Sequence, residues 1–184
     1  TASNVRDTQQ QIRRSPRVQM LLSERNERGE IARHPYAKWQ GAHWVLSLLA
    51  DIGYPASDAS LIPLRERVLA WLLGERHARS IITLNGRVRR CASQEANALY
   101  ALLTLGLADE RTDELARRLL QWQWPDGGWN CDKRAEADTS SFMESLIPLR
   151  ALALHARVTG SALSRQAAER CAEVFLSRRL YKRR

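Results

Sequence analysis

Three glycines, Gly53, Gly106 and Gly160, recur about 53 residues apart, each closing an apolar helical pattern: "ADIG", "LTLG" and "RVTG". A helix that ends on glycine closes with a left-handed residue that side-chain-bearing residues adopt only at a cost. Recurrence at this interval points to a repeated two-helix unit of the solenoid or toroid kind. The hydrophobic spacing between the stops is helical. Trp39 to Ile52 carries Trp39, Ala42, Val45, Leu48, Leu49 and Ile52 on one side, and Leu61 to Leu73 carries Leu61, Leu64, Val68, Leu69 and Leu72. Ala92 to Leu105 is apolar nearly all round, as a buried helix is. Thr112 to Trp122 is amphipathic. Thr139 to His155 is mostly apolar, with Pro148 as an expected kink, and Ala162 to Leu180 is amphipathic through Ala168, Cys171 and Phe175. The order is a buried helix then a surface helix, three times over. Only "RSIITLNGR" (79–87) reads as a short ribbon or an ordered loop.

The expected fold is therefore all-α, with about three helix pairs over residues 31–184. Residues 1–30 form an N-terminal extension in which "VQMLLSERNERGE" makes one short helix. An array of pairs needs its apolar ends covered, yet no polar capping repeat follows Leu180. The expectation is a homo-oligomer, or further repeats beyond Arg184. A start without Met fits a processed chain or a fragment.

Among 184 residues, 29 are Lys or Arg and 20 Asp or Glu, a net charge of +9. Such charge suits anionic partners, but the arginines are spread over most helices. Only "SRRLYKRR" is dense, and no zinc-finger or RNA-recognition signature accompanies it. A nucleic-acid partner therefore ranks last, and membrane contact is peripheral at most, because no apolar run reaches the roughly 20 residues of a span. No signal peptide is visible. Three widely spaced cysteines, Cys91, Cys131 and Cys171, fit a reducing cytoplasm rather than a disulfide framework. Neither a nucleophile elbow nor a phosphate-binding glycine loop is present.

One stretch is chemically dense: "QWQWPDGGWNCDKRAEADTSS", residues 121–141. Pro125 stops a helix, Asp126-Gly127-Gly128 reverses the chain, and Trp129 folds back as an apolar plug with one N–H to satisfy. Gln121 and the tryptophan form the expected clamp. Ser141 to Glu144 reads as a capping box, with Asp138 a further capping residue.

"QWQWPDGGW" resembles the QW repeat of squalene-hopene and oxidosqualene cyclases, and its turn resembles that of protein prenyltransferase β subunits. "HPYAKWQGAHWVLSLLADIGYP" is similar to bacterial proteins of the same superfamily. The resemblance covers about residues 34–180 and implies an (α/α)6 toroid, of which three pairs are half, with inner helices around a cavity for a hydrophobic, isoprenoid-type ligand. Cyclases of this class carry Asp-x-Asp-Asp-Thr after the turn. Here Ala135-Glu136-Ala137-Asp138-Thr139 stands there, which leaves Glu136 or Asp138 as the acid for acid-initiated cyclisation. The prenyltransferase zinc set needs Asp-x-Cys with a distant His; Asp138 matches, but Ser140 replaces the Cys. Cys131 and Asp132 are the nearest alternative ligands. The reading is of a protein without metal or cofactor.

Ligand contacts are expected from Trp39, His43 and Trp44, whose aromatic faces suit carbocations. Trp39 and His43 stand four apart on one helical face. Glu95 and Asn97, polar positions on a buried helix, and Glu144 are expected at the cavity mouth. Each also has a plain role: core packing for the rings, a hydrogen-bonded core residue for His43, helix-end complementarity for Glu95 and capping for Glu144. The alternative function is a non-catalytic α/α-repeat module that binds a protein or completes its ring with another chain.

Overall fold

A computed structural model describes residues 2–180. The basic end of "SRRLYKRR", from Tyr181 on, lies outside the described residues. Among them the regular structure is mostly α-helical, with one two-stranded hairpin and an isolated bridge between Arg25 and Ile31, and no helix is long and apolar enough to cross a membrane. The chain divides into two compact units. The first comprises the residues up to Gly74 with Ala101–Asp109, the second Glu75–Tyr100 with the residues from Glu110 on.

The first unit holds α1 (Ala2–Arg14), α2 (Pro16–Leu22), α3 (Ala42–Asp51) and α4 (Ile62–Leu73), the last entered through a 3-10 turn at Ala59–Leu61. Ser15 caps α2 by accepting from the Val18 N–H, with Pro16 at the first helical position. The short helix expected over 18–30 thus starts earlier and ends at Leu22. Beyond it Asn26 turns the chain by accepting from the N–H groups of Arg28 and Glu30. The end of α1 is tied to the loop before α4: Asp58 accepts from the Tyr54 hydroxyl at 2.7 Å and pairs with Arg13 at 3.1 Å. The core is Val45, Leu46 and Leu49 of α3 with Leu64, Val68 and Leu72 of α4.

α3 begins three residues later than the spacing predicts. A Cβ at Gly41 would run into the Pro35 carbonyl oxygen, because the 34–41 loop folds back over the helix start. His43 N–H donates to that same carbonyl. Trp39 therefore precedes the helix and shares no helical face with His43.

The second unit holds α5 (Glu75–Ala78), strands β1 (Thr83–Leu84) and β2 (Arg87–Val88), the first turns of α6 (Ser93–Thr104), α7 (Glu110–Trp122), α8 (Phe142–Thr159) and α9 (Ala162–Ser177). The ribbon reading of 79–87 holds: Asn85 and Gly86, both at positive φ, make a two-residue hairpin turn. α8 runs on through the buried Pro148 and packs along α9, with α7 against both. Leu115, Leu119, Leu152, Ala167 and Val174 fill the space between them. All three expected stops, Gly53, Gly106 and Gly160, have left-handed φ.

Candidate functional site

The 121–141 segment is built as a brace in the second unit. Trp129 is fully buried, its ring N–H donating to the Leu119 carbonyl at 3.0 Å and its backbone N–H to the Ser145 hydroxyl at 3.0 Å. Gly128 lies so close to α8 that a Cβ would stand 2.5 Å from Ser145 Oγ. Asp126, which sequence reasoning reads only as a turn residue, accepts from the Ser140 N–H and hydroxyl and from Arg178. The clamping glutamine is Gln123 rather than Gln121. Gln121 is exposed, whereas Gln123 donates to the Gly127 and Ala167 carbonyls and accepts from Arg170. Gln123 lies just past the end of α7, where the chain leaves the helix, and its side chain reaches Ala167 and Arg170 of α9.

This brace presents a cluster that the sequence does not connect. Cys91, before α6, Cys131, just past the brace, and Glu144, on the first turn of α8, bring two sulfurs and a carboxylate oxygen within 4.8 Å of one another, all half-buried. Glu144 Oε2 accepts from the Ser93 N–H at the start of α6 at 3.2 Å, and the Cys131 thiol donates to Oε1 at 3.7 Å. The expected capping box therefore does not form. Ser141 makes no side-chain cap, and Glu144 serves a neighbouring helix instead of its own. The neighbouring Cys131 thiol holds the Cys91 thiol below the ordinary thiol range, against burial and the Glu144 charge. Cys131 is pushed up, first by its interaction with Cys91 and then by burial.

The loop that carries Cys131 is pinned from beneath. Arg89, 2% exposed, donates to the Asp132 and Ala137 carbonyls and lies 4.5 Å over the Trp124 ring. Asn130 accepts from the Asp132 N–H and donates to the Thr139 carbonyl. Beside the cluster in sequence, Glu95 is wholly buried and sits 2.6 Å from His77 Nε2, with Arg90 against the same ring. Glu95 thus has a partner, His77, that helical spacing could not supply.

In the first unit the rings of His34, Tyr36, Trp39, His43, Trp44 and Trp71 form one continuous aromatic cluster with centroids 4.4–5.6 Å apart. His43 is buried at its centre, and among the described residues neither ring nitrogen has a hydrogen-bond partner. Its ring stands at 90° to Trp44 and 87° to Trp71, an arrangement that lets a ring N–H meet an aromatic face. Burial pushes its pKa down to about 4, so it is neutral. Trp39, 64% exposed, is the open edge of the cluster, and Lys38 lies over it. Next to Gln40, a groove of about 510 Å³ runs between α2 and α3, floored by Met20, Leu21, Val45 and Leu48, with Arg17 and Glu24 on its rim.

The expected site residues thus fall into two groups. Trp39, His43 and Trp44 lie in the first unit, and Glu95, Asn97, Glu136, Asp138 and Glu144 in the second. Trp39, His43 and Trp44 are brought together in the aromatic cluster, but none of them lines the groove between α2 and α3. Glu136 and Asp138 are exposed on the loop before α8. Acid-initiated chemistry requires a buried acid, and neither side chain is buried. Asn97 is half-buried on α6. The zinc set implied by the prenyltransferase resemblance does not fit these residues: Asp138 is exposed, and the Ser140 hydroxyl is spent on Asp126. Comparison with family models, with curated proteins and with solved structures finds no match.

Proposed function

We propose that this chain binds a hydrophobic, isoprenoid-type small molecule, as a terpene cyclase/prenyltransferase-like protein built from α/α-toroid helix pairs. The observation that carries the reading is the apolar groove between α2 and α3, in the same unit as the aromatic cluster. The groove volume of about 510 Å³ falls within the roughly 300–1,000 Å³ of small-molecule sites. Its floor of Met20, Leu21, Val45 and Leu48 suits a branched hydrocarbon, and Arg17 on the rim suits an anionic head group. The repeat of helix pairs with glycine stops and the Trp-Pro-Asp-Gly-Gly-Trp brace support the superfamily reading. The exposed Glu136 and Asp138 do not support acid-initiated cyclisation, so the activity proposed is binding of the prenyl chain.

The test is a thermal-shift and tryptophan-fluorescence titration with prenyl alcohols and prenyl diphosphates of increasing length. A saturable shift that Leu48→Asp abolishes, with the fold intact by circular dichroism, supports the reading; Leu48 lines the groove and is exposed. Absence of any shift at solubility-limited concentrations overturns it.

A second reading has its own observation. α8 leaves Met143 and Leu146 exposed on adjacent turns, and α9 leaves Leu163 and Leu176 exposed. Large apolar side chains in such number suit a non-catalytic module that covers them with another chain. Light scattering that returns a stable monomer at micromolar concentration removes a second copy of this chain as the cover.

A further inference from the structure

Cys91, Cys131 and Glu144 come from three separate segments, the end of the hairpin, the brace loop and α8, and converge in the second unit. We infer that they form a zinc site: two thiolate sulfurs and one carboxylate oxygen around a divalent zinc ion, with the fourth tetrahedral position left open.

The geometry carries the assignment. Zinc takes sulfur at about 2.3 Å and carboxylate oxygen at about 2.0–2.2 Å in tetrahedral array, which sets neighbouring sulfur and oxygen ligands about 3.5 Å apart. Cys131 Sγ and Glu144 Oε1 already stand 3.7 Å apart, and all three ligand atoms lie within 4.8 Å. Little movement is needed to close around an ion. The donor set selects for zinc, because paired thiolates are soft ligands that magnesium and calcium do not favour.

The surroundings are those of a held ligand set. Glu144 commits Oε2 to the Ser93 N–H, which fixes the carboxylate and leaves Oε1 turned to the sulfurs. Such outer hydrogen bonds orient metal ligands. Cys131 sits between Trp129, locked to Leu119 and Ser145, and Asp132, whose carbonyl is held by Arg89. Asp132 itself is engaged by Arg134 and is not a ligand. On binding, the two thiol protons pass to solvent and the carboxylate binds ionised. Three protein ligands leave a position for water or an incoming donor atom, the pattern of zinc sites that do chemistry rather than of closed structural ones. The inference uses different residues from the prenyl groove and stands or falls separately.

The experiment uses the full chain, reduced and freed of metal. After incubation with zinc and removal of excess, the protein should retain one equivalent. Cobalt(II) in its place should give thiolate-to-metal charge-transfer absorption and the visible bands of a tetrahedral site. Cys91→Ser and Cys131→Ser should each lose the charge-transfer band or weaken binding at least about 10-fold, while Cys171→Ala and Asp132→Asn keep it. A second readout needs no variant: zinc should slow maleimide labelling of Cys91 and Cys131 in the native protein. Equal metal retention by wild type and the Cys91→Ser/Cys131→Ser double variant would overturn the assignment, as would labelling of the two thiols at a rate indifferent to zinc.

Discussion

Glu144 divides its carboxylate between two segments, with Oε2 on the Ser93 N–H at 3.2 Å and Oε1 facing Cys131 Sγ at 3.7 Å. The first N–H groups of a helix have no partner within it, so Glu144 of α8 serves as an external cap for α6. In metal-free protein, Glu144→Ala should lower the unfolding free energy by about 1 kcal/mol, the usual loss of a helix cap. Glu144→Gln, which keeps an acceptor oxygen, should recover most of it. Urea titration of the three proteins checks this, and equal midpoints would contradict it.

The brace makes a steric prediction. Gly128→Ala places a methyl group 2.5 Å from Ser145 Oγ and 2.6 Å from Ser140 Cβ. Two side chains pinned to Trp129 and Asp126 cannot both give way. The expected loss is about 1–3 kcal/mol, the range for overpacking. Trp129→Ala, which empties a fully buried site, should cost about 3–5 kcal/mol. Thermal denaturation should rank wild type above Gly128→Ala above Trp129→Ala, and any other order counts against the brace.

Much of this fold is legible in the sequence because helical phase and helix stops are local. The glycine stops, the Asn85-Gly86 hairpin and the helices around Val45, Val68, Leu119 and Ala168 all follow from spacing and backbone chemistry. α1 is not legible, because it is almost wholly polar and its attachment through Arg13 and Asp58 is long-range. The aromatic segment 39–44 is legible as a cluster but not in its geometry, since only the fold-back onto Gly41 takes Trp39 off the helix. The Cys91–Cys131–Glu144 cluster is not legible at all. Cys91 lies far from the other two in sequence, and no metal-ligand spacing links the three. Glu95 and His77 meet for the same reason: tertiary packing, not periodicity, joins them.

That buried pair predicts asymmetric mutational costs. His77 and Glu95 side chains are 1% and 0% exposed and 2.6 Å apart. His77→Leu leaves a buried carboxylate without this partner and should destabilise by about 3–5 kcal/mol. The His77→Leu/Glu95→Leu double variant should recover part of that loss, because no buried charge is left behind. A double variant less stable than His77→Leu alone would contradict the pairing.

His43 gives a pH prediction with a definite sign. Its folded pKa is about 4, against 6.5 for the free side chain. Between those values the unfolded chain binds a proton that the folded chain refuses, so stability is complete above about pH 6.5 and falls as pH drops toward 4. The loss through this group is on the order of 3 kcal/mol. His43→Phe, which keeps an aromatic ring in the cluster, should flatten that part of the curve. Chemical denaturation from pH 7 to 4 reads the slope, and an equal slope in the variant would show that His43 is not its source.

The most direct test of the prenyl-binding account is photo-crosslinking of the full chain with a diazirine-bearing prenyl analogue, followed by mass-spectrometric mapping of the labelled peptides. The account predicts labelling that unlabelled prenyl compound competes away, located in α2 and α3 on peptides that contain Met20, Leu21, Val45 or Leu48. Labelling that does not compete, or that falls wholly outside those two helices, would contradict it.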